Sequence, residues 1–192
     1  MVWCRLPEPG EAVSEASLAR AGAPSKEAAV SEEPAAEHRN IEGNLEYEQA
    51  LDTLFARPGR RLRIFDRFLG IAYNGPGRHD LLRRFLLASR THAIQIVLHD
   101  ASNLQRDCPR LINLLREFSH AIAIQETEPQ AKGVYDPFAV MDERDYVHRF
   151  HYDDTRGLLG LDDPHEARGF VQRFEELWEA STPAASGTTL GL

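Results

Sequence analysis

Acidic and imidazole side chains follow two apolar stretches of this sequence, and such side chains serve general acid–base catalysis and metal binding. Asp66 ends the run RLRIFD, and His99 and Asp100 follow the run IQIVL. Both runs are typical of strands, and parallel sheets place ligands beyond the carboxyl ends of their strands. One prediction is therefore that these three residues converge with Asp142 on one crevice. The alternative, which we favour because no ligand spacing is tight, is that Asp66 and Asp100 cap loops or neighbouring helices.

The stretch VYDPFAVMDERDYVHRF, residues 134–150, carries the densest mix of titratable groups. Its aromatic and β-branched residues predict two strands, Phe138–Met141 and Tyr146–Phe150, joined by a charged turn. A chemical site, if the chain has one, is expected here. The titratable residues in and just beyond the stretch are Tyr135, Asp136, Asp142, Asp145, His148, Arg149 and His151.

Two histidines near the end of this stretch have acidic neighbours, as metal ligands often do. His148 and His151 are followed by Asp153 and Asp154. Residues three apart in a strand face opposite sides, so the two imidazoles share a metal only if the chain turns at Phe150. We predict ordinary strand and loop residues here, and no metal site.

Arg149 is a candidate anion-binding residue, although pairing with Asp142 or Asp145 is the interpretation we favour. The chain has no glycine-rich phosphate loop, since the segment NGPG at 74–77 lacks the GK[ST] sequence and the dinucleotide fingerprint. No serine lies in a GxSxG context. We predict no cofactor.

The hydrophobic pattern predicts helices alternating with strands, followed by a hairpin-rich end. The last helix is the clearest, because Asp163 is an N-cap, Pro164 suits the first turn and Glu166 completes a capping-box pattern. The predicted order is α-β-α-β-α-β-β-β-β-α. Alternation implies right-handed parallel crossovers, so the fold class is α/β, with a mixed, mostly parallel sheet and helices on both faces. The predicted helices begin near residues 45, 78, 109 and 164.

Charge and composition divide the 192 residues into three parts. The net charge is −8, and residues 1–48 account for −6 of it, with ten Glu and four basic residues. We predict a disordered acidic tail over 1–40, a folded domain over 41–181 and a flexible C-terminal tail over 182–192. The nearly neutral domain disfavours nucleic-acid binding, despite a possible phosphate contact at Arg60, Arg61 and Arg63. Two cysteines, no long apolar run and no secretory signal favour the cytoplasm and no membrane span.

The order of elements resembles one repeat of the phospholipase D-like superfamily over roughly Leu45–Ala180. The shared features are RLRIFD after a helix, IQIVLHD after another, DPFAVMDE at a strand end, and a closing FEELW helix. The resemblance implies a His-any-Lys-four-Asp motif, in which His is the nucleophile and Lys binds phosphate. Alignment on Asp142 places Tyr135 at the His and Pro137 at the Lys.

The same alignment places the superfamily's later Gly-Ser-any-Asn motif on Arg149, Phe150, His151 and Tyr152. Only Asp142 matches, so the resemblance implies a single degenerate repeat without the usual phosphodiesterase mechanism. Two such motifs normally form one site, which implies a possible homodimer. The chain also resembles an uncharacterised bacterial domain family that is sometimes found alongside acetyltransferases.

Three functions are therefore predicted, and the first is preferred. The first is a non-catalytic phospholipase D-like domain that acts as a binding or assembly module, with Tyr135, Arg149 and Asp100 as candidate binding residues. The second is a phosphoesterase-type hydrolase with a rebuilt site. The third is an accessory regulator of a neighbouring acetyltransferase. The candidate catalytic residues of the second are Asp66, His99, Asp142 and His148.

Overall fold

The computed structural model describes residues 35–185 of the chain. The tail predicted to be disordered lies outside the described residues up to residue 34, as does the predicted C-terminal tail from residue 186. Both predicted domain boundaries nevertheless move outward. β1 (Glu37–Glu42) belongs to the sheet, and so does β8 (Ser181–Ala185).

One mixed sheet of eight strands organises the described residues, in the order β1-β7-β6-β5-β2-β3-β4-β8. β2, β3 and β4 form its parallel centre, and every other neighbouring pair is antiparallel. The remaining bounds are β2 (Arg61–Asp66), β3 (Ala93–Leu98), β4 (Ile122–Thr127), β5 (Phe138–Met141), β6 (Asp145–Arg149) and β7 (Arg156–Leu161).

The mixed α/β class is confirmed, whereas the expectation that most strand pairs are parallel is wrong. Two pairs are parallel and five are antiparallel among the described strands. The reason is the connection length. The turn between β5 and β6 is too short for a parallel crossover, and β1 and β8 then pair antiparallel at the two edges.

Helices cover both faces of the sheet, as predicted. α1 (Asn44–Ala56), α2 (Pro76–Ala88) and α4 (Pro109–Glu117) pack on one face, with the short α3 (Leu104–Asp107) leading into α4. α5 (Pro164–Glu179) packs on the other face. Successive residues of a strand point to opposite faces, so Leu62 and Ile64 join the first core and Phe65 joins the second.

α5 begins as its sequence predicts. The Asp163 carboxylate accepts hydrogen bonds from the backbone N–H groups of His165 and Glu166, each at 3.2 Å, and Pro164 opens the helix. Phe174 is 1% exposed in the core beneath α5. None of the helices within residues 35–185 is both long and apolar enough to cross a bilayer.

Candidate functional site

Asp66 and Arg149 come together at one end of the sheet. Asp66 is the last residue of β2, and Arg149 is the last residue of β6. β5 lies between these strands, and the Arg149 N–H donates to the Pro137 carbonyl just before β5 begins. The two-residue alternation turns both side chains toward the face that carries α1 and α2.

A pocket of about 280 Å³ opens beside these two side chains. The first turns of α1, the end of β2, the 3₁₀ turn Ile71–Asn74, α2 and the loop after β6 form its wall. The side chains that matter chemically are those of Tyr47, Glu48, Asp66, Arg67, Tyr73, Arg78, Arg149, Tyr152 and Asp153.

Three arginine–tyrosine pairs line this pocket. The guanidinium carbons of Arg67 and Arg149 each lie 4.5 Å from the ring centroid of a tyrosine, Tyr152 and Tyr47 respectively. Arg78 lies 5.4 Å from the ring centroid of Tyr73. Each guanidinium is therefore oriented by an aromatic face, which contributes about 0.5–2 kcal/mol depending on exposure.

The three guanidinium groups differ in how far their charge is already matched. Arg78 is 4% exposed, donates to the Asp52 carboxylate at 2.7 Å, and donates to two backbone carbonyls at 2.9 Å. Arg149 donates to the Asn44 side-chain oxygen, and its buried Nε has no hydrogen-bond partner among the described residues. Within residues 35–185, neither Arg149 nor Arg67 forms an ion pair. Arg78 is thus structural, while Arg149 and Arg67 are available to an anion.

Asp66 is the titratable group at the centre of the pocket. Burial raises the pKa of its carboxyl to about 7, although the Arg67 backbone N–H, 2.7 Å from Oδ1, and the Arg149 charge act in the opposite direction. Burial also raises the pKa of Tyr47 and of Tyr73 above their usual value. At neutral pH the pocket therefore holds two protonated phenols and a carboxyl close to its titration midpoint.

His99 lies on the other face of the sheet and has no free ring nitrogen. Nε2 is 2.6 Å from the Val134 carbonyl, which only accepts, so Nε2 carries the proton. Nδ1 lies 2.7 Å from the Thr127 hydroxyl, and the ring packs edge-on against Phe65. Burial lowers the pKa of His99, so the neutral imidazole is favoured. Its contacts are those of a histidine that joins β3, β4 and the chain before β5.

His148 also faces α5 rather than the pocket. Its Nε2 lies 3.1 Å from Oδ2 of Asp136, and the two Arg173 nitrogens hold that same carboxylate at 2.5 and 2.6 Å. The imidazole packs against Phe170, with ring centroids 4.9 Å apart. Burial lowers the pKa of His148. This group links β6 to α5 across one sheet face.

Asp142 lies at the opposite end of the sheet from Asp66. Its carboxylate accepts from the backbone N–H groups of Arg60, at 3.1 Å, and Arg61, at 2.8 Å, where β2 begins. Because β5 runs antiparallel to β2, the end of β5 meets the start of β2, about 16 Å from Asp66. The predicted convergence of Asp142 with Asp66 and His99 on one crevice is therefore wrong.

The expected pairing of Arg149 with Asp142 or Asp145 is also wrong. Asp145 is fully buried and is bound by the guanidinium groups of Arg57 and Arg144 and by the Asp162 backbone N–H. Asp145 begins β6 and Arg149 ends it, so the two residues lie at opposite ends of the strand. Arg149 instead donates a hydrogen bond to Asn44 and stacks on the ring of Tyr47.

The remaining candidates lie near the pocket mouth but outside it. Tyr135 is 51% exposed, and its ring centroid lies 5.8 Å from that of His151 and 6.0 Å from that of Tyr152. Asp100 accepts from the Ser102 N–H at 2.9 Å, the loop-capping role favoured from the sequence. Among residues 35–185, no group of three or more His, Cys, Asp or Glu side chains is arranged to hold a metal ion.

Sequence reasoning found Asp66 and Arg149 but missed the residues that complete the pocket. Tyr47, Tyr73 and Arg78 read as helix or loop residues with no chemical motif. Arg67 directly follows Asp66, which is the only local signal. The contact between Arg149 and Asn44 joins positions 105 residues apart, so no spacing pattern reveals it.

Comparison with solved structures identifies the fold. Nuc, a phospholipase D family member from Salmonella typhimurium, matches with a TM-score of 0.57 and 12% identity, over 79% of this chain and 100% of that chain. NucT from Helicobacter pylori matches with a TM-score of 0.52 and 15% identity, over 78% and 99%. The archaeal chromatin protein TrmBL2 gives a TM-score of 0.58 and 12% identity, over 81% and 57%. The chain therefore has a phospholipase D-like α/β fold.

The family itself follows from the sequence. Residues 44–188 match the family described as a domain of unknown function, DUF7931, and the chain belongs to that family. A comparison with curated protein sequences gives no match. The identities to the solved structures are low enough that they define the fold alone.

Proposed function

We propose that this chain is a non-catalytic phospholipase D-like domain that acts as a binding and assembly module. The observation that carries the proposal is the pair of residues at the superfamily's reacting positions. On the alignment through Asp142, Tyr135 stands in place of the nucleophilic histidine and Pro137 stands in place of the phosphate-binding lysine. A prolyl ring carries no positive charge, so Pro137 cannot bind the phosphate as that lysine does.

The surroundings of these two positions support the proposal. The Tyr135 ring contacts the rings of His151 and Tyr152, and the Pro137 carbonyl accepts from the Arg149 N–H at 2.8 Å. A nucleophilic tyrosine needs a positioned base. His99 uses both ring nitrogens, and His148 uses its Nε2, in contacts on the α5 side of the sheet. Neither is placed to activate Tyr135.

Exposed apolar side chains around the pocket support an assembly role. Each residue of this apolar rim lines the pocket, neighbours a lining residue in the chain, or contacts one through its ring. Clusters of exposed large apolar side chains mark interaction surfaces more often than chance. We propose that a second copy of this chain covers them, because one repeat supplies only half of the two-motif arrangement typical of the superfamily. The apolar rim comprises Leu45, Phe68, Ile71, Tyr135 and Phe150.

A hydrolysis assay tests the non-catalytic part of the proposal. Purified full-length protein is incubated with bis-p-nitrophenyl phosphate and p-nitrophenyl phosphate, with and without Mg²⁺, Mn²⁺ and Zn²⁺. We expect no turnover above the buffer blank. Turnover that is retained through purification and lost in Tyr135→Phe contradicts the proposal.

Light scattering coupled to size-exclusion chromatography tests the assembly part. We expect the wild-type chain to elute as a dimer and the double variant Phe68→Ser/Ile71→Ser to elute as a monomer. Leu87→Ser is the matched control, because Leu87 is 57% exposed on α2 and lies outside the apolar rim. A wild-type protein that is monomeric at all concentrations contradicts self-assembly.

The two alternative functions have different support. The hydrolase with a rebuilt site loses its premise, because Asp142 lies at the far end of the sheet and His99 and His148 face away from Asp66. The association with a neighbouring acetyltransferase remains a prediction, as does the cytoplasmic location. Copurification of an acetyltransferase with the tagged chain, at fixed stoichiometry, tests the former.

A further inference from the structure

We propose that the pocket between Arg149 and Arg67 binds a small organic anion, and that the Asp66 carboxyl takes up one proton as the anion enters. The proposal rests on the proposed binding role and specifies its ligand chemistry. It also assigns the site to a part of the fold that excludes Tyr135 and Pro137, since neither lines the pocket.

Two guanidinium groups of the pocket carry positive charge that no carboxylate pairs with among the described residues. Arg149 ends β6 and stacks on Tyr47, and Arg67 follows β2 and stacks on Tyr152. Within the part of the chain that the structure describes, both lack an ion-pair partner. Arg78 has its carboxylate and carbonyl partners already, so its contribution is to hold the wall. Planar guanidinium groups recognise carboxylate and tetrahedral oxyanions in well-defined geometry.

Asp66 is an acidic group beside the two guanidinium groups. An ionised Asp66 repels an incoming anion and offsets the charge of Arg149, so anion binding and Asp66 ionisation oppose each other. Burial already places the pKa of Asp66 at about 7, so protonation is accessible near neutral pH. The titratable and charged groups that face it are Tyr47 and Glu48 of α1, Tyr73 of the 3₁₀ turn, Arg78 of α2, Arg149 of β6, and Arg67 and Asp153 of the adjoining loops.

The linked proton is assigned to Asp66 rather than to the tyrosines that face it. Tyr47 and Tyr73 stay neutral because burial raises the pKa of both. Burial raises the pKa of Asp66 to about 7, so we assign the proton uptake to this carboxyl.

The volume of the pocket limits the size of the ligand. A volume of about 280 Å³ is near the lower end of the range for small-molecule sites, and it exceeds what a lone inorganic oxyanion fills. Tyrosine rings line the wall beside the guanidinium groups, and such walls favour an apolar or aromatic body on the anion. The ligand class is thus an organic anion with one charged head group.

Isothermal titration calorimetry of the full-length protein tests the proposal with three probes. Benzenesulfonate and benzoate keep one negative charge across the tested range and distinguish a tetrahedral head from a planar one. Phenol supplies the same ring without the charge. We expect at least one anion to bind and phenol not to bind. The affinity of that anion should rise about tenfold from about pH 8 to about pH 6, as expected for one linked proton.

Two variants and a control separate this mechanism from nonspecific binding. Arg149→Gln should weaken anion binding at least tenfold, whereas Arg168→Gln, an exposed arginine on α5, should leave it unchanged. Asp66→Asn should retain binding at about pH 6 and remove its pH dependence. Binding of neither anion, or an unaltered pH dependence in Asp66→Asn, overturns the proposal. Hydrolytic activity in the assay above refutes the non-catalytic role separately, so the two failures are distinguishable.

Discussion

Replacement of Asp66 by asparagine should stabilise the protein, by an amount that grows with pH. Burial raises the pKa of Asp66 from 3.8 to about 7, so the folded state binds this proton more tightly than the unfolded chain. A raised carboxyl pKa contributes stability that is complete below about pH 4 and is lost as the pH rises through about 7. Asparagine mimics the protonated carboxyl at every pH and avoids this loss.

The expected magnitude follows from the pKa difference. A difference of roughly three pH units, at about 1.4 kcal/mol per unit, corresponds to at most about 4 kcal/mol above pH 7. Solvent screening in the open pocket reduces this value, so an observed gain of about 1–3 kcal/mol at pH 8 fits the same reasoning. Below about pH 4 the variant and the wild type should have equal stability.

Urea unfolding at a series of pH values measures this difference directly. Asp100→Asn is a matched control, because Asp100 follows the neighbouring parallel strand and the pKa of its carboxyl is lowered by hydrogen bonds with Ser102. That variant should therefore lose stability relative to the wild type at neutral pH, and the loss should vanish in acid. A pH-independent difference for Asp66→Asn, or destabilisation at pH 8, refutes the electrostatic account of the pocket.

Three further variants test the packing and the polar contacts by urea unfolding. Phe174→Ala should cost about 3–5 kcal/mol because the ring is fully buried beneath α5, whereas the exposed Arg168→Ala should cost less than about 0.5 kcal/mol; similar losses contradict the assigned core. Asp145→Ala should cost roughly 3 kcal/mol or more, because it leaves the Arg57 guanidinium without its buried partner; a neutral effect contradicts this. Asp142→Ala should lower the free energy of unfolding by about 1–2 kcal/mol, because the hydrogen bonds from two backbone N–H groups are lost. Anion binding should not change, because the pocket lies at the opposite end of the sheet; weakened binding contradicts the assigned geometry.

The elements that the sequence predicts well are those with strong local signals. The run RLRIFD alternates residues between the two faces, and β2 has the predicted bounds Arg61–Asp66. α5 starts at Pro164 because Asp163 caps it, which the spacing of Asp, Pro and Glu indicates directly. Such signals act within a few residues, so one sequence is enough to read them.

The edge strands were missed because their stability depends on distant partners. β1 is polar, with only Ile41 buried, and it forms through pairing with β7 more than 100 residues later in the chain. β8 contains Pro183 and pairs with β4. Neither has the apolar alternation that marks a strand in isolation, so most of each strand fell within a predicted tail.

The pocket was only half predictable for a related reason. The rule that ligands bind beyond the carboxyl ends of parallel strands singled out Asp66, which lines the pocket. The same rule misplaced Asp142, because it does not hold for β5, which runs antiparallel to β2. His148 and Arg149 are adjacent in β6 and therefore face opposite sides of the sheet, so only Arg149 reaches the pocket.

Intact-mass spectrometry tests the central claim most directly, that this fold binds without phosphoryl transfer. The full-length protein is mixed with an excess of bis-p-nitrophenyl phosphate. Samples are quenched in acid at intervals, and the mass of the intact protein is measured. A domain that lacks the reacting residues should keep its unmodified mass at every time point. A phosphoryl adduct that maps to Tyr135, and that is absent from Tyr135→Phe, would contradict the account.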